Sequence, residues 1–508
     1  MPAQTILMPH TFTRVATPVS LRQLFSSASF VGCGDIAVES VSEDSRTCEQ
    51  GCLFVAIPGT TEQGTTYVDD AVANGATAIL TQTPLENIRV KQCIVPDVRR
   101  AYAHLCEALF GYPSRRLGLV GVTGTNGKTT VTWLVRSILE AAGWPTAVIG
   151  TIEYNDGMEA EPATLTTPSA KVLSQWLSTA VARATQYAAI ELSSHALDQS
   201  RAAGTLLDVA IITNITQDHF DYHGDVATYR ASKARIFEQI KGRGLIVLNA
   251  DDPLTASLLG ETPPGTQVLT YGLDQSADLM AGDLRLTPHG TTFRLQTMTQ
   301  SVDVTTHLIG RHNVSNCLAA AAAAMHVGVP LTEIAEGIEA LDIVPGRMEL
   351  VDEHSPVNVY VDYAHTDDAL SHAIAAAREV TSGRVLCVFG AGGNRDQSKR
   401  SLLGRAAGAA DIAVVTSDNP RNEHPQHIID AILTGCREMP VTLHVESDRA
   451  EAIRWAIAEA EPGDTVLVAG KGHETVQIIG DERHPFDDRA ICREAIAEIT
   501  STVPVGSH

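Results

Sequence analysis

A glycine-rich segment, GVTGTNGKTT at 121–130, has the residue types of a loop that binds nucleotide phosphates. Glycines let backbone N–H groups curl around phosphate oxygens, and a helix that begins directly after the loop adds partial positive charge. In such a loop Lys128 reaches the β- and γ-phosphates, and the hydroxyl of Thr129 coordinates Mg²⁺. The spacing G-x-x-x-x-G-K-[ST] is not met, because Val122 stands where the first glycine belongs. The preceding apolar run and the helical pattern that follows still favour a phosphate loop over an ordinary turn, so the segment predicts binding of a nucleoside triphosphate.

Two further segments place acidic and imidazole side chains directly after strand-like runs, ELSSHALDQSR at 191–201 and TNITQDHFDYHG at 213–224. The carboxyl ends of parallel strands meet at one edge of a sheet, where such folds form their sites. Glu191 and His219 are therefore candidate ligands for Mg²⁺, a hard ion held by few protein groups plus water and phosphate oxygens. Lys233 follows on a predicted helix, and spacing alone leaves it open whether it is a site residue or a solvated lysine.

The composition limits the classes of partner. Lys and Arg total 37 and Asp and Glu total 60, which gives a net charge of −23. An acidic surface repels nucleic-acid backbones, so no nucleic-acid partner is expected and anionic ligands must be held by local groups. No apolar run approaches the roughly 18 residues of a membrane span, and no secretory signal is apparent. Nine scattered cysteines are typical of reduced thiols, so we expect a cytoplasmic protein. Separately, we expect the protein to act as a monomer.

The elements that must position these residues form three α/β units. Strand-like runs alternate with helical segments, which predicts a mostly parallel sheet, and the segment at 277–296 predicts added antiparallel hairpins. Turn-rich boundaries at 111–116 and 344–347 divide the chain. We predict a small N-terminal α/β domain (1–115), a central phosphate-loop NTPase-like domain (116–345) and a C-terminal Rossmann-like domain (346–508).

Segments along nearly the whole chain resemble the Mur ligases of bacterial cell-wall synthesis. In chain order they are TGTNGKTT, ELSSHALDQSR, TNITQDHFDYHG, YRASKARIF, GRHNVSN, VPGRMEL and VDYAHTDDAL. Three more segments, GAGGNRD, DNPR and GKGHE, resemble the members of the family that add meso-2,6-diaminopimelate to UDP-N-acetylmuramoyl-L-alanyl-D-glutamate. The resemblance implies an ATP-dependent amide ligase that works through an acyl phosphate in peptidoglycan synthesis. It implies that the three predicted domains bind UDP, ATP and an amino acid, in that order.

The resemblance also implies site residues by position. Lys128, Lys233, Glu191 and His219 would be catalytic, and Lys233 would carry a carbamate derived from CO₂. The Mg²⁺ ligands would be Thr129, Glu191, His219 and carbamylated Lys233. ATP would be bound by Gly124, Thr125, Asn126, Gly127, Lys128, Thr129, Thr130, Asn313, Asn316, Asp362 and His365, with Tyr363 in the same element.

The two other substrates are assigned in the same way. The UDP-muramoyl dipeptide would be bound by Ser45, Thr166, Thr167, Ser193, Gln199 and Arg201, and diaminopimelate by Arg395, Asp418, Asn419, Pro420, Arg421, Gly470 and Glu474. Two places depart from the family pattern. Thr60, Thr61 and Glu62 occupy a loop that often contributes to UDP binding, and Asp367 replaces a usual proline, which we expect to change only a turn.

Diaminopimelate differs from L-lysine by one distal carboxylate, and the planar guanidinium of Arg421 can pair with such a group through two hydrogen bonds. Alternatives remain at this stage. A related ligase could add L-lysine or glutamate, as in other Mur ligases or a folylpolyglutamate synthase. A catalytically silent nucleotide-binding relative would have lost the lysine and metal positions, which this chain retains. A phosphate-loop kinase would explain neither the third domain nor DNPR.

Overall fold

The computed structural model describes residues 18–59, 62–216 and 220–502. Three separate sheets follow one another along the chain, each covered by helices, which confirms the predicted α/β class. Within the described ranges, no helix is long and apolar enough to cross a membrane.

The N-terminal unit is built on a five-stranded sheet in the order β2-β7-β6-β5-β4, parallel except for β2. A two-stranded ribbon of β1 and β3 lies beside it. The elements are β1 Val19–Ser20, α1 Leu21–Leu24, β2 Ser29–Val31, β3 Ala37–Val38, β4 Val41–Ser42, β5 Leu53–Val55, α2 Val68–Ala73, β6 Ala78–Thr81, β7 Lys91–Ile94 and α3 Val98–Leu109.

The central unit has an eleven-stranded sheet in the order β11-β10-β9-β12-β8-β13-β14-β15-β16-β17-β18. Its strands are β8 Gly118–Thr123, β9 Thr146–Ile149, β10 Glu153–Asn155, β11 Ala160–Pro162, β12 Tyr187–Glu191, β13 Leu207–Ile212, β14 Ile240–Asn249, β15 Gln267–Gly272, β16 Leu279–Thr287, β17 Gly290–Thr297 and β18 Ser301–Thr306. Its helices are α4 Lys128–Ala141, α5 Ala170–Ala182, α6 Ser194–Asp198, α7 Phe220–His223, α8 Val226–Ala234, α9 Pro253–Ala256, α10 Arg311–His326 and α11 Leu331–Glu339.

The middle of this sheet is parallel and its ends are antiparallel. Strands β9, β12, β8, β13, β14 and β15 run parallel, whereas β16 and β17 form a hairpin in the predicted segment and β18 extends it beyond that segment. Helix α4 buries Leu134, Val135, Ile138 and Leu139, the four residues whose helical spacing predicts one apolar face. The phosphate loop therefore lies between the central strand β8 and a helix fixed by core packing.

One strand is shorter than its apolar run suggests. The sequence predicts a strand at 146–151, but β9 ends at Ile149, where Gly150 N donates to Glu153 O at 3.1 Å and the chain turns back into β10. A Cβ on Gly150 would lie 2.2 Å from Glu191 Oε1, so the close approach of that carboxylate requires a glycine. The turn brings Thr151 against Glu191.

The C-terminal unit has a six-stranded sheet in the order β19-β20-β24-β21-β22-β23, parallel except for β19. Helices cover both faces, as expected for a Rossmann-like unit. The elements are β19 Glu349–Leu350, β20 Asn358–Asp362, α12 Asp367–Glu379, β21 Val385–Phe389, α13 Ser398–Ala407, β22 Ile412–Val415, α14 Pro425–Cys436, β23 Thr442–Val445, α15 Arg449–Glu459, β24 Thr465–Ala469, β25 Val476–Ile479, β26 Glu482–Pro485 and α16 Asp488–Thr502.

Candidate active site

The phosphate loop joins β8 to α4 and is held by close contacts that exclude side chains. A Cβ on Gly124 would lie 1.8 Å from Thr213 Oγ1, and a Cβ on Gly127 would lie 2.4 Å from Asn316 Oδ1. Both glycines also have positive φ, 149° and 86°. Lys128 Nζ donates to the carbonyls of Gly124 (3.0 Å) and Thr125 (2.8 Å), which places the ammonium group within the loop.

A buried hydroxyl–carboxylate cluster lies at the start of α4. Thr129 Oγ1 donates to Glu191 Oε2 at 3.0 Å, and Thr151 donates to the same carboxylate from its N–H (2.8 Å) and its hydroxyl (2.9 Å). Glu191 has no exposed surface. Oxygen atoms of this kind are the ligands that Mg²⁺ prefers, completed by water and phosphate oxygens. Among the described residues no group of three His, Cys, Asp or Glu side chains is placed to hold a metal.

The predicted modification site is buried. Lys233 is 1% exposed, and its Nζ lies 4.3 Å from the centre of the Tyr229 ring on the same helix, α8. The predicted helix is confirmed, and Tyr229 and Lys233, four residues apart, lie on one face of it. His219, the other predicted metal ligand, lies outside the described residues.

A cavity of about 80 Å³, the loop cavity, separates the phosphate loop from the C-terminal unit. It is lined by Asn126, Gly127, Thr130, His312, Asn313, Asn316, Arg347, Met348, Asp362, Ala364, Ala369, His372 and Ala373. Six of the predicted ATP-binding residues are thus brought together. Burial lowers the pKa of His312 to about 4, so a neutral imidazole faces this cavity at pH 7. Burial raises the pKa of Asp362, whose carboxylate accepts from Met348 N (2.7 Å) and Ala364 N (2.8 Å).

The residues predicted to bind the muramoyl dipeptide form one connected cluster, except Ser45. Thr167 Oγ1 donates to Glu191 O (2.7 Å) and accepts from Ser193 N (3.0 Å). Arg201 donates to Thr167 O and to Gln199 Oε1, and Thr166 is joined through Thr151 Oγ1 at 3.1 Å.

This cluster lies where the N-terminal and central units meet. Lys171 Nζ of the central unit donates to Val41 O of the N-terminal unit at 3.0 Å. Ser45 begins a short 3-10 helix, Ser45–Thr47, just after that contact. Thr60 and Thr61 lie outside the described residues, and Glu62 accepts a hydrogen bond from Tyr67 Oη. Asp367 begins α12 behind the N-cap Thr366, so this residue lies in the first turn of a helix.

A second and larger cavity of about 380 Å³, the C-terminal cavity, is lined mainly by the last unit. It is lined by His195, Tyr363, His365, Thr366, Ala391, Gly392, Arg395, Asp396, Lys399, Arg400, Leu403, Asp418, Asn419, Arg421, Gly470 and Glu474. Most residues predicted to bind the amino acid lie here, and Pro420 lies between two of them. His365, predicted to contact ATP, lies at this cavity, 4.6 Å from the Tyr363 ring.

Both signs of charge face the C-terminal cavity. Asp418 is buried and its Oδ1 has no hydrogen-bond partner within the described chain; the Lys471 ammonium is 3.9 Å away. Arg395 makes no hydrogen bond or ion pair with any described residue. Arg421 donates from Nη1 to Gly393 O at 2.8 Å; burial lowers its pKa and the nearby Arg395 adds to the effect. An anionic group and a cationic group on one ligand would satisfy these charges.

Buried contacts beneath this cavity fix its side chains. Asn419 donates to Glu474 Oε2 (3.0 Å) and accepts from Lys471 Nζ (3.1 Å). Below them Arg449 donates to Asp488 (2.6 and 2.8 Å) and to Ala469 O (3.0 Å), and both side chains of this ion pair are fully buried. The ends of the parallel strands are thereby held together, because Ala469 closes β24 directly before Gly470.

Sequence reasoning missed two residues of the site. Arg347 lies in VPGR, whose turn residues indicate only a boundary, yet its Nη2 donates to Thr129 Oγ1 at 3.1 Å and its guanidinium lies 4.8 Å from the Tyr363 ring. Thr151 lies in a segment interpreted as strand. Arg347 lies within VPGRMEL, one of the segments that resemble the Mur ligases, and this was the one sequence signal for a site role. No sequence signal pointed to Thr151.

Known proteins resemble this chain over nearly all of its length. Family models match at 37–109 (Mur ligase family, catalytic domain), 122–324 (Mur ligase middle domain) and 346–472 (Mur ligase, glutamate ligase domain). A relative from Geobacillus thermodenitrificans named UDP-N-acetylmuramoyl-L-alanyl-D-glutamate--2,6-diaminopimelate ligase is 42% identical over 472 residues, 92% of this chain and 96% of that protein. The chain belongs to the Mur ligase family. A relative of the same name from Geobacillus kaustophilus is 43% identical over 473 residues, with the same two coverages.

A solved structure of a Mur ligase with that name also has this fold. It superimposes with a TM-score of 0.68 at 33% identity and covers 95% of this chain and 99% of that one. As a Mur ligase, the chain is an ATP-dependent ligase that forms amide bonds in peptidoglycan synthesis. The phosphate-loop kinase alternative is therefore excluded.

Proposed function

We propose that this Mur ligase adds meso-2,6-diaminopimelate to UDP-N-acetylmuramoyl-L-alanyl-D-glutamate, with ATP converted to ADP and phosphate. The observation that carries the proposal is the C-terminal cavity, in which Arg395 and Arg421 accompany the partly unpaired carboxylate of Asp418. A distal carboxylate next to an ammonium group matches that arrangement. L-Lysine lacks the distal carboxylate and would leave the guanidinium group that pairs with it without an anionic partner, which disfavours lysine binding.

The first step that we propose is activation of the D-glutamyl carboxylate. A carboxylate oxygen attacks the γ-phosphate of ATP, ADP leaves, and an acyl phosphate forms. Two anions must approach each other, so the Lys128 ammonium and the N-terminus of α4 supply positive charge at the loop.

The hydroxyl–carboxylate cluster fits Mg²⁺, because Thr129 and Glu191 present oxygens 3.0 Å apart in a buried site. We propose these two residues, with His219 and carbamylated Lys233, as the protein ligands. Bound Mg²⁺ would neutralise phosphate charge. A carbamate would give the buried Lys233 side chain oxygen atoms of the kind that bind Mg²⁺, which is why we propose this modification there.

The amide then forms by attack of the diaminopimelate amine on the acyl carbonyl, through a tetrahedral intermediate that expels phosphate. Thr166, Thr167, Ser193, Gln199 and Arg201 are proposed to hold the muramoyl dipeptide, with Ser45 at the uridine end. Asn313, Asn316 and Asp362 would enclose the nucleotide. Water must be excluded at this stage because it would hydrolyse the acyl phosphate.

We further propose that residues 1–115 bind UDP, that residues 116–345 bind ATP and that residues 346–508 bind the amino acid. It is supported by the three sheets and by the turns at Pro113–Arg115 and at 344–347 between them. All nine cysteines are free thiols, which supports a reducing, cytoplasmic compartment. We also propose a monomer as the working state.

The test is phosphate release from Mg²⁺-ATP with UDP-N-acetylmuramoyl-L-alanyl-D-glutamate, comparing meso-diaminopimelate with L-lysine and D-glutamate. Turnover with diaminopimelate alone is expected. Turnover with lysine would keep the ligase and overturn the role given to Arg421. ATP binding without turnover on any amino acid would favour a silent relative.

A further inference from the structure

One carboxylate of the C-terminal unit reaches the phosphate loop of the central unit. Asp368 lies in the first turn of α12, and its Oδ2 accepts from Asn126 Nδ2 at 2.7 Å and from Thr216 Oγ1 at 2.8 Å. Both donors meet the same oxygen, 242 and 152 residues away along the chain. Hydrogen bonds to a charged acceptor are stronger than neutral ones, so this contact is more than incidental packing.

The two donors belong to the two loops that form the phosphate side of the site. Asn126 is part of the phosphate loop, and its backbone is tied to the segment after β13 by Asn214 Oδ1 (2.9 Å) and Thr213 Oγ1 (2.6 Å). Thr216 N donates to Thr125 Oγ1 at 3.0 Å and is the last described residue before the segment that contains His219. One carboxylate oxygen of Asp368 therefore accepts hydrogen bonds from both loops.

The neighbouring acids do not share this role. Asp362 directs its two carboxylate oxygens to backbone N–H groups of its own unit. Asp367, adjacent in the same helix turn, makes no side-chain hydrogen bond or ion pair with any described residue. His372, one turn along α12, has its Nδ1 3.6 Å from Asp368 Oδ2, and this Nδ1 donates to the backbone oxygen of Asp368 at 2.8 Å.

We propose that Asp368 is a positioning residue for the ligase reaction. Its carboxylate orients Asn126 and Thr216, so the phosphate loop and the segment 213–216 reach the arrangement that binds ATP only while α12 of the C-terminal unit contacts them. The unit that brings the amino acid thereby completes the ATP site. The proposal rests on the proposed function in taking ATP as the ligand of this loop.

The test compares Asp368→Ala and Asp368→Asn with the matched control Asp367→Asn. The KM for ATP should rise about 10-fold or more in Asp368→Ala and less in Asp368→Asn, while the KM for diaminopimelate stays within about two-fold. Asp367→Asn should match the wild type in both. Thr216→Val combined with Asp368→Ala should show a non-additive effect on ATP binding, because the two changes remove the same contact.

An unchanged KM for ATP in a folded Asp368→Ala enzyme would overturn the proposal, and so would an equal rise in both KM values or strict additivity. If Asp368→Ala does not fold, Asp368→Asn and Thr216→Val decide the matter. Direct ATP binding to the same variants separates this proposal from the proposed function, since it needs neither the dipeptide nor the amino acid.

Discussion

Two guanidinium groups, Arg395 and Arg421, line the C-terminal cavity, where burial lowers the pKa of Arg421 and the charge of Arg395 lowers it further. An anion bound at both groups would offset this repulsion. We expect Arg421→Ala to lower kcat/KM for diaminopimelate by about 100-fold or more, since an unpaired buried charge partner costs roughly 3–5 kcal/mol. Initial rates of phosphate release at varied diaminopimelate and varied ATP measure this. Arg405→Ala, on the exposed outer side of α13, is the control. Equal losses in the diaminopimelate and ATP parameters would sink the assignment.

Lys233 provides a second prediction for a single side chain. Lys233→Ala should abolish phosphate release, because the variant cannot form the carbamate that would complete the metal site. Short carboxylic acids added to the assay should restore part of the activity by supplying the missing carboxylate. Exposed Lys91→Ala should behave as wild type. An active Lys233→Ala enzyme would end the carbamate hypothesis.

Sequence reasoning worked best for residues that act within one local motif. Gly124, Gly127 and Lys128 could be predicted because their chemistry depends on neighbours in the loop. Arg347 and Asp368 could not, because each acts on a partner more than 200 residues away, Thr129 and Asn126 respectively. The sequence of a turn-rich segment, or of an acidic residue in the first turn of a helix, is the same whether or not such a distant partner exists.

Among the structural elements, the phosphate loop depends on the absence of side chains. Gly127→Ala should weaken ATP binding at least about 10-fold, because the new Cβ meets Asn316 Oδ1 in a backbone conformation that already costs roughly 1–2 kcal/mol. Gly143→Ala, at the far end of α4, has a similar φ of 80° but open space around it. It should lower stability by roughly 1 kcal/mol and leave ATP binding unchanged, as titration with a fluorescent ATP analogue would report. Similar ATP affinities in the two variants would contradict this account.

Helices α15 and α16 are joined to the sheet by the buried pair Arg449–Asp488. Asp488→Ala should reduce the free energy of unfolding of the C-terminal unit by about 3–5 kcal/mol, because it strands the Arg449 charge in the core. Urea denaturation followed by tryptophan fluorescence measures this, with Glu494→Ala in an exposed pair expected to cost under about 1 kcal/mol. A loss as small as that of Glu494→Ala would show that the pair is not needed.

Element types were predictable where periodicity was strong, as for α4 and the β16–β17 hairpin. The early end of β9 was not, because the close approach of Glu191 to Gly150 is a tertiary contact. The apolar residues of this segment end at Ile149, and the sequence alone gives no contact that would stop the strand before Gly150 and Thr151.

At the scale of the whole molecule, Arg347 connects the unit boundary to the phosphate site. Arg347→Ala should raise the KM for ATP and lower kcat by about 10-fold or more, since it removes a charged hydrogen bond to Thr129 and the contact with Tyr363. Steady-state phosphate release is the measurement, and exposed Arg285→Ala is the control. A wild-type KM for ATP and a wild-type kcat in Arg347→Ala would show that Arg347 does not contribute to the phosphate site.

The C-terminal cavity presents Arg395, Lys399 and Arg421 within a chain of net charge −23. Fields in salt water decay over about 8 Å at physiological ionic strength, so an approaching anion meets the repulsive exterior before the cations. Added salt screens that outer repulsion more than the contacts made inside the cavity. Ionic strength should therefore change the association rate constant of anionic substrates more than their dissociation rate constant. The salt concentration in the cell thus contributes to setting how fast these substrates bind.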